Sequence, residues 1–471
     1  MRGNDGATTG EYQLEYAAYG ELTELNDADL EEVDIPTGLT GTAGTAVGED
    51  VYLLEKGHAT AIAPVHRVVQ QRWGADGHNS AEDDHHERVA SSDELFFDLA
   101  VVAFVSVLNA RLVTFGARDE ASERALGEEA ASGEEGTPGD AFVFVQYALM
   151  LTPVWMVWFL YNGYMNRFNN GSLLMHVYTV AHVVLLALLT SETASCELGR
   201  ANSNCPGWAT YYSGLRCLGL LYALRIVLLS RLARFHGLFL LLQHSLSLVP
   251  WLALALLPEA TSPAVVLSLW SVGLLLDFFC SFGAFAALRA CDPLPWVWRA
   301  IIPVNVELNV ERTGLLVIVC LGETVVSAAS GKLRAGHAEA GFSAPVVLAA
   351  ALAVCVAFLL KLLYFEASEI EGDPHAVHAL RRNVYTGALF TVSSLPLIGC
   401  ILVSASQLEL VLESGRFETA RTRWTLSLSY ALAILLLALV QLLHTTRSSY
   451  VARRLHRRFR IGLRGVAALV V

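Results

Sequence analysis

From residue 94 onward the chain is a succession of apolar runs, each interrupted by a few isolated polar positions and set off by a polar stretch. Runs at 94–115, 141–165, 172–191, 208–229, 236–257, 264–288, 304–329, 344–366, 384–406 and 424–446 are each long enough for a helix to cross a hydrocarbon layer of ~30 Å. In lipid only helices and closed barrels satisfy their own backbone hydrogen bonds, and runs of this length read as helices. The pattern therefore predicts an all-α, polytopic membrane helix bundle with about ten transmembrane helices. Most connections are short, so successive helices turn back antiparallel. The Glu/Gly-rich stretch 116–140 and the stretch 407–423 read as longer loops.

Three regions follow. Residues 1–90 are polar and read as an acidic, mostly disordered cytoplasmic extension. Residues 91–446 form the transmembrane helical domain. Residues 447–471 form a basic cytoplasmic tail, in which Ile461–Val471 is a candidate start of a further span.

Composition agrees with the pattern. The 471 residues are 54% hydrophobic and only 16% charged, against roughly 25% charged in soluble proteins. The formal charge of −13 is concentrated before residue 91 and in 116–140, and no basic reading surface points to nucleic acid. Met1 is followed by Arg-Gly-Asn-Asp-Gly, which predicts no cleavable signal peptide and leaves insertion to the first span. Loop Arg and Lys favour neither side until the tail is counted; its arginines place both termini in the cytoplasm. Cys196 and Cys205 then share an outer loop and are candidates for a disulfide, while Asn170-Gly171-Ser172 is an unused glycosylation triplet on the inside. His78, Asp83, Asp84, His85, His86 and Glu87 can bind metal, but no spacing fixes a coordination shell, and a solvated juxtamembrane stretch is the reading.

The chemistry lies in polar side chains inside apolar runs, which need partners from protein or water. At 100° per residue Glu94, Asp98, Val105 and Asn109 fall within ~60° on the first span, a stripe that should face the bundle. Arg216, deep in the fourth span, needs an acid, and Asp277 in the sixth is the candidate. In the seventh, Asn305, Asn309, Arg312, Leu316, Glu323 and Ser327 share another ~60° sector. Glu307 and Glu311 point elsewhere. Arg312 and Glu323 are ~16 Å apart along the axis and cannot pair with each other; Asp98, at similar depth, is the candidate partner for Arg312. Lys361 and Glu366 are further ionisable groups in the eighth span.

Glu94-Leu-Phe-Phe-Asp98-Leu, opening the first span, resembles the opening signature of the low-temperature-requirement A (LtrA) family of multi-pass membrane proteins. In the same order follow Asn166-Arg167-Phe168, then Glu311-Arg312, Gly314-Leu315 and Leu321-Gly322-Glu323, then Leu363-Tyr364-Phe365-Glu366 with Glu where that family ends its motif in Asp. The resemblance covers roughly residues 88–446. Ser92-Asp93 precedes Glu94 where aromatic or small residues are expected, and Tyr385-Thr-Gly stands where a His is expected. The resemblance implies a multi-pass fold and adds Arg167, Glu311 and Glu366 to a charge network with Glu94, Asp98, Asn109, Arg216, Asp277, Asn309, Arg312 and Glu323. The family is named for a bacterial cold-growth phenotype, which supplies no substrate.

Two functions from different classes fit. The first is a transporter or channel-like bundle whose buried carboxylates and arginines line a path for a small solute or ion, with Glu323 as the proton-carrying candidate. The second is a non-transporting membrane factor for cold-stress or envelope and lipid adaptation, its polar groups serving as packing pairs. Nothing points to an enzyme, a cofactor or a metal: there is no phosphate loop, His-Glu-x-x-His or Gly-x-Ser-x-Gly. His176 and His182, six residues apart, read as helix contacts. The expected partner is the lipid bilayer.

Overall fold

The computed structural model describes residues 90–126, 140–168, 172–199, 205–230, 233–258, 261–283, 304–334, 344–368, 376–382, 384–414 and 420–446. The acidic extension with its His/Asp cluster, Asn170 and Gly171 of the glycosylation triplet, and the basic tail lie outside these residues. Ten helices, each carrying a stretch long and apolar enough to cross a membrane, are found among the described residues. They are α1 (Ser92–Leu126), α2 (Asp140–Phe168), α3 (Leu173–Glu192), α4 (Cys205–Leu229), α5 (Arg234–Ala255) and α6 (Pro263–Phe278), then α7 (Val306–Arg334), α8 (Ala344–Ser368), α9 (Val384–Ser414) and α10 (Ala420–Leu443). α6 runs on through a π-helical turn, Phe279–Gly283. One helical turn, Ala379–Arg382, precedes α9, and a two-residue antiparallel ladder joins Ala376–Val377 to Thr445–Thr446. The fold is all-α.

Two helix ends differ from the hydropathy reading. α1 continues past 115 to Leu126, because Ala-Arg-Asp-Glu-Ala-Ser-Glu-Arg-Ala-Leu is polar yet made mostly of good helix formers. α9 continues past 406 to Ser414, and Gln407 and Glu409 are buried there instead of lying in a loop. Polarity ended the apparent span, but α9 keeps going because its polar side chains Gln407 and Glu409 find protein.

Which helices are central follows from burial. In α2, α7 and α9, 61% of the most apolar window is buried, against 28% in α8. Accordingly α8 exposes Leu348, Leu352, Phe358, Leu359 and Leu362, an apolar outer face that lipid would cover. α7 packs along α9, α9 along α10, and α4 along α5, while α1 lies against α2, α3 and α9.

Local sequence sets the joints. Ser91 and Glu94 form a capping box at the start of α1, the Ser91 N–H donating to Glu94 Oε2 at 2.7 Å and the Glu94 N–H to Ser91 Oγ at 3.4 Å. In α2, Pro153 cannot donate to the Leu149 carbonyl; the Trp270 indole from α6 donates to it instead at 2.9 Å. Midway along α1, Arg111 Nη1 donates to the carbonyls of Thr193 (2.5 Å) and Cys196 (2.7 Å). A Cys196–Cys205 disulfide closes that loop between α3 and α4.

Reducing the disulfide, or replacing both cysteines by Ser, is expected to destabilise the protein by roughly 2–3 kcal/mol, the loop-entropy value for so short a loop. Thermal melting with and without reductant checks this. An unmoved Tm would mean that Arg111 holds the loop unaided.

Candidate functional site

Three helices build the first polar centre. On α1, Asp98 sits one turn inside Glu94; on α2, Trp158, Asn162 and Asn166 recur every four residues and so share a face. Asn305, just before α7, and Asn309 and Arg312 on it are spaced by four and three and also share a face. Arg312, fully buried, puts Nη2 2.7 Å from Asp98 Oδ1 and 3.3 Å from the Glu94 carbonyl oxygen, with Nη1 3.6 Å from Glu94 Oε1. The Trp158 indole donates to the same Asp98 oxygen at 2.9 Å. Asn162 Nδ2 donates to Asn309 Oδ1 at 3.0 Å. Asn166 accepts from the Asn305 N–H at 2.7 Å and donates to the Asn305 carbonyl at 3.0 Å, fastening the start of α7 to the end of α2. Glu94 and Asp98 are both buried, so two carboxylates flank one guanidinium away from water. Among the described residues Asp98 Oδ2 and Arg312 Nε have no hydrogen-bond partner.

Further along the same face of α7 lies a second cluster. Leu316, Val317 and Cys320 are buried and separate it from the first. Glu323, 8% exposed, accepts from Ser106 Oγ of α1 at 2.7 Å. One turn on, Ser327 donates to Glu409 Oε2 of α9 at 3.4 Å. Asn109 is 1% exposed, and among the described residues neither its amide atoms nor the buried Tyr147 hydroxyl of α2 has a hydrogen-bond partner.

A third centre joins α4, α5 and α6. Asp277 pairs with Arg216, accepts from Tyr212 Oη at 2.8 Å and from the Trp251 indole at 3.2 Å, and accepts from Ser247 Oγ. Arg216 and Asp277 are almost fully buried, and the Arg216 guanidinium lies 5.5 Å from the Tyr212 ring centre. Gly273, one turn before Asp277, leaves room for the indole: a Cβ there would come 2.7 Å from Trp251 Cε2. The π turn that follows α6 carries Ser281, which accepts from Gln243 Nε2 at 2.8 Å.

Not every residue expected in the network lies in it. Glu311 is exposed and touches none of the described polar groups, because it stands one position, about 100°, from Arg312 on the wheel. Arg167 donates to the Gly163 carbonyl of its own helix at 2.8 Å and lies within electrostatic reach of His236. Lys361 is half-buried over the rings of Phe358 and Phe365, 5.7 Å from each, instead of inside the bundle. The Glu366 side chain lies outside those described. His176 pairs with Asp93 at the start of α1, and His182 is buried with Nδ1 3.1 Å from the Tyr178 carbonyl oxygen.

Sequence reasoning missed Trp158, Asn162, Glu409, Ser247 and Trp251. Only the first two carried a usable signal, the four-residue repeat leading into Asn166.

A bundle of ten membrane-length helices with ionisable groups turned inward defines a multi-pass integral membrane protein. The chain belongs to the family described as bacterial low temperature requirement A protein (LtrA), which it matches over residues 89–471. No curated protein and no solved structure matches it.

Proposed function

We propose that this protein is a transporter or channel-like bundle whose solute path follows α7. One observation carries the reading. The polar face from Asn305, just before α7, to Ser327 covers about 22 helical rises, ~33 Å, close to the thickness of a hydrocarbon layer. A passive anchor has no use for a polar seam of that length, and intramembrane ionisable groups commonly mark ion or solute pathways. Leu316 and Cys320 interrupt the seam between its two clusters, so it is closed as described. Opening would need α1 or α2 to move against α7, a rocking of the kind transporters use. In this reading Asp98 and Arg312 form the exchangeable pair and Glu323 carries the proton.

The test is flux in proteoliposomes holding a pH-sensitive dye, under an imposed potential. Glu323→Gln is expected to lose most of the flux and its pH dependence. Unchanged flux with an unchanged pH profile removes Glu323 from the mechanism. The completeness of the Asp277 centre, with donors from two helices around one acid on a third, favours the second reading for that part of the molecule: a structural pair in a membrane factor that supports envelope or lipid behaviour in the cold.

A further inference from the structure

We propose that Glu323 is the centre of a site for a monovalent metal cation, Na+, completed by Ser106, Asn109 and Tyr147 and adjoining Glu409. The inference rests on the transport reading in that the metal ion would exchange with the proton that Glu323 carries there, but the site itself is a matter of binding.

Two independent observations lead to it. The first concerns charge. Glu323 is buried on α7, its one hydrogen bond comes from Ser106, and no Lys, Arg or His among the described residues lies within ion-pair distance. A carboxylate has about four acceptor positions, and an uncompensated one is costly inside a bundle. The second concerns unfilled oxygens. Asn109 is 1% exposed with both amide atoms unpartnered, and the Tyr147 hydroxyl, in a residue 5% exposed, is equally alone. Buried polar groups are normally bonded, so each of these orphans asks for an occupant.

Register brings them together. α1 meets α7 through Asp98 with Arg312 and again through Ser106 with Glu323, so the two helices run in the same direction. Asn109 lies about one turn beyond Ser106, as Ser327 lies one turn beyond Glu323; both therefore stand level with the Glu409 carboxylate that Ser327 bonds. Tyr147 is within electrostatic reach of Glu323.

The donor set selects the ion. Carboxylate, hydroxyl, amide and phenol oxygens suit a hard cation. One acid, Glu323, balances one positive charge at the centre, the Glu409 carboxylate one turn on being bonded by Ser327, whereas divalent ions draw on several carboxylates. A proton on Glu323 would balance the charge but leave Asn109 and Tyr147 as orphaned as before. A metal cation answers both observations.

The experiment is thermal melting of the full chain in detergent, with NaCl or KCl replacing choline chloride at constant ionic strength. Na+ is expected to raise Tm saturably, by about 2 °C or more, with the rise abolished in Glu323→Gln and reduced in both Asn109→Ala and Tyr147→Phe. Tyr147→Phe removes one oxygen and leaves the ring, so it reports on binding even where Glu323→Gln fails to fold. Equal Tm in Na+ and choline overturns the proposal, as does a full Na+ shift retained in both Asn109→Ala and Tyr147→Phe. Flux separates the two claims: Glu323-dependent flux without a Na+ shift keeps transport and ends the cation site. A Na+ shift without flux keeps the site and ends transport.

Discussion

Arg312→Gln is expected to remove most of the folded protein from the membrane, the largest single effect at the Asp98 centre. Arg312 is fully buried between Glu94 and Asp98, and without it two carboxylates face each other with no cation. Breaking a buried ion pair by deleting one partner costs about 3–5 kcal/mol, a large part of the ~5–15 kcal/mol by which proteins are stable at all. Neutral hydrogen bonds between membrane helices average nearer ~0.6 kcal/mol, so Asn162→Ala, which breaks an amide pair, should be far milder. Asp98→Asn is intermediate, since Arg312 keeps Glu94 and the Trp158 indole keeps an oxygen to bond. The combination of Asp98→Asn with Arg312→Gln should cost less than the two separate effects together, by about 1 kcal/mol or more. Folded yield by fluorescence-detected gel filtration, together with Tm, measures this cycle; strict additivity would argue that the contact contributes nothing. Exchanging the pair, Asp98→Arg with Arg312→Asp, separates the functions. Abundance restored without activity fits a pair that takes part in transport, and both restored together fit a packing pair.

The parts legible in the sequence were those set by one-dimensional quantities. Run length is enough to count membrane helices, and a charge inside an apolar run is enough to mark Asp98, Arg216, Asp277, Arg312 and Glu323. The wheel also separated Glu311 from Arg312, and the structure leaves Glu311 outside the bundle. What stayed hidden depended on neighbours. Glu409 sits in Ser404-Ala-Ser-Gln-Leu-Glu409, which reads as the end of a span because hydropathy assumes a lipid surround; packed against α7, Ser404, Ser406, Gln407 and Glu409 are all buried. At the end of α2 the motif marks Arg167, and its neighbour Asn166 makes the bond to the start of α7 while Arg167 donates to the Gly163 carbonyl of its own helix. Trp158 could be anticipated only by seeing that its spacing continues that of Asn162 and Asn166.

Asp277→Asn is expected to cost about as much as Arg312→Gln, ~3–5 kcal/mol, because it leaves the Arg216 guanidinium charged and 2% exposed among aromatic rings. Replacing the pair together, Arg216→Met with Asp277→Leu, removes that isolated charge and is expected to be more stable than either single change. Full recovery is not expected. Tyr212, Ser247 and Trp251 all direct donors at Asp277, and each would lose its acceptor at about 1–3 kcal/mol when buried without another. Melting of the two single variants and the double variant measures this order, and a double variant no better than Asp277→Asn would show that the donors, not the charge, dominate. The folded double variant also carries the functional question. Arg216 and Asp277 lie on α4 and α6, off the α7 seam, so under the transport reading flux should persist at close to the wild-type rate. Flux lost while the fold is kept would extend the working centre into α4, α5 and α6, and the π turn after Asp277 would then be the element whose movement couples the two.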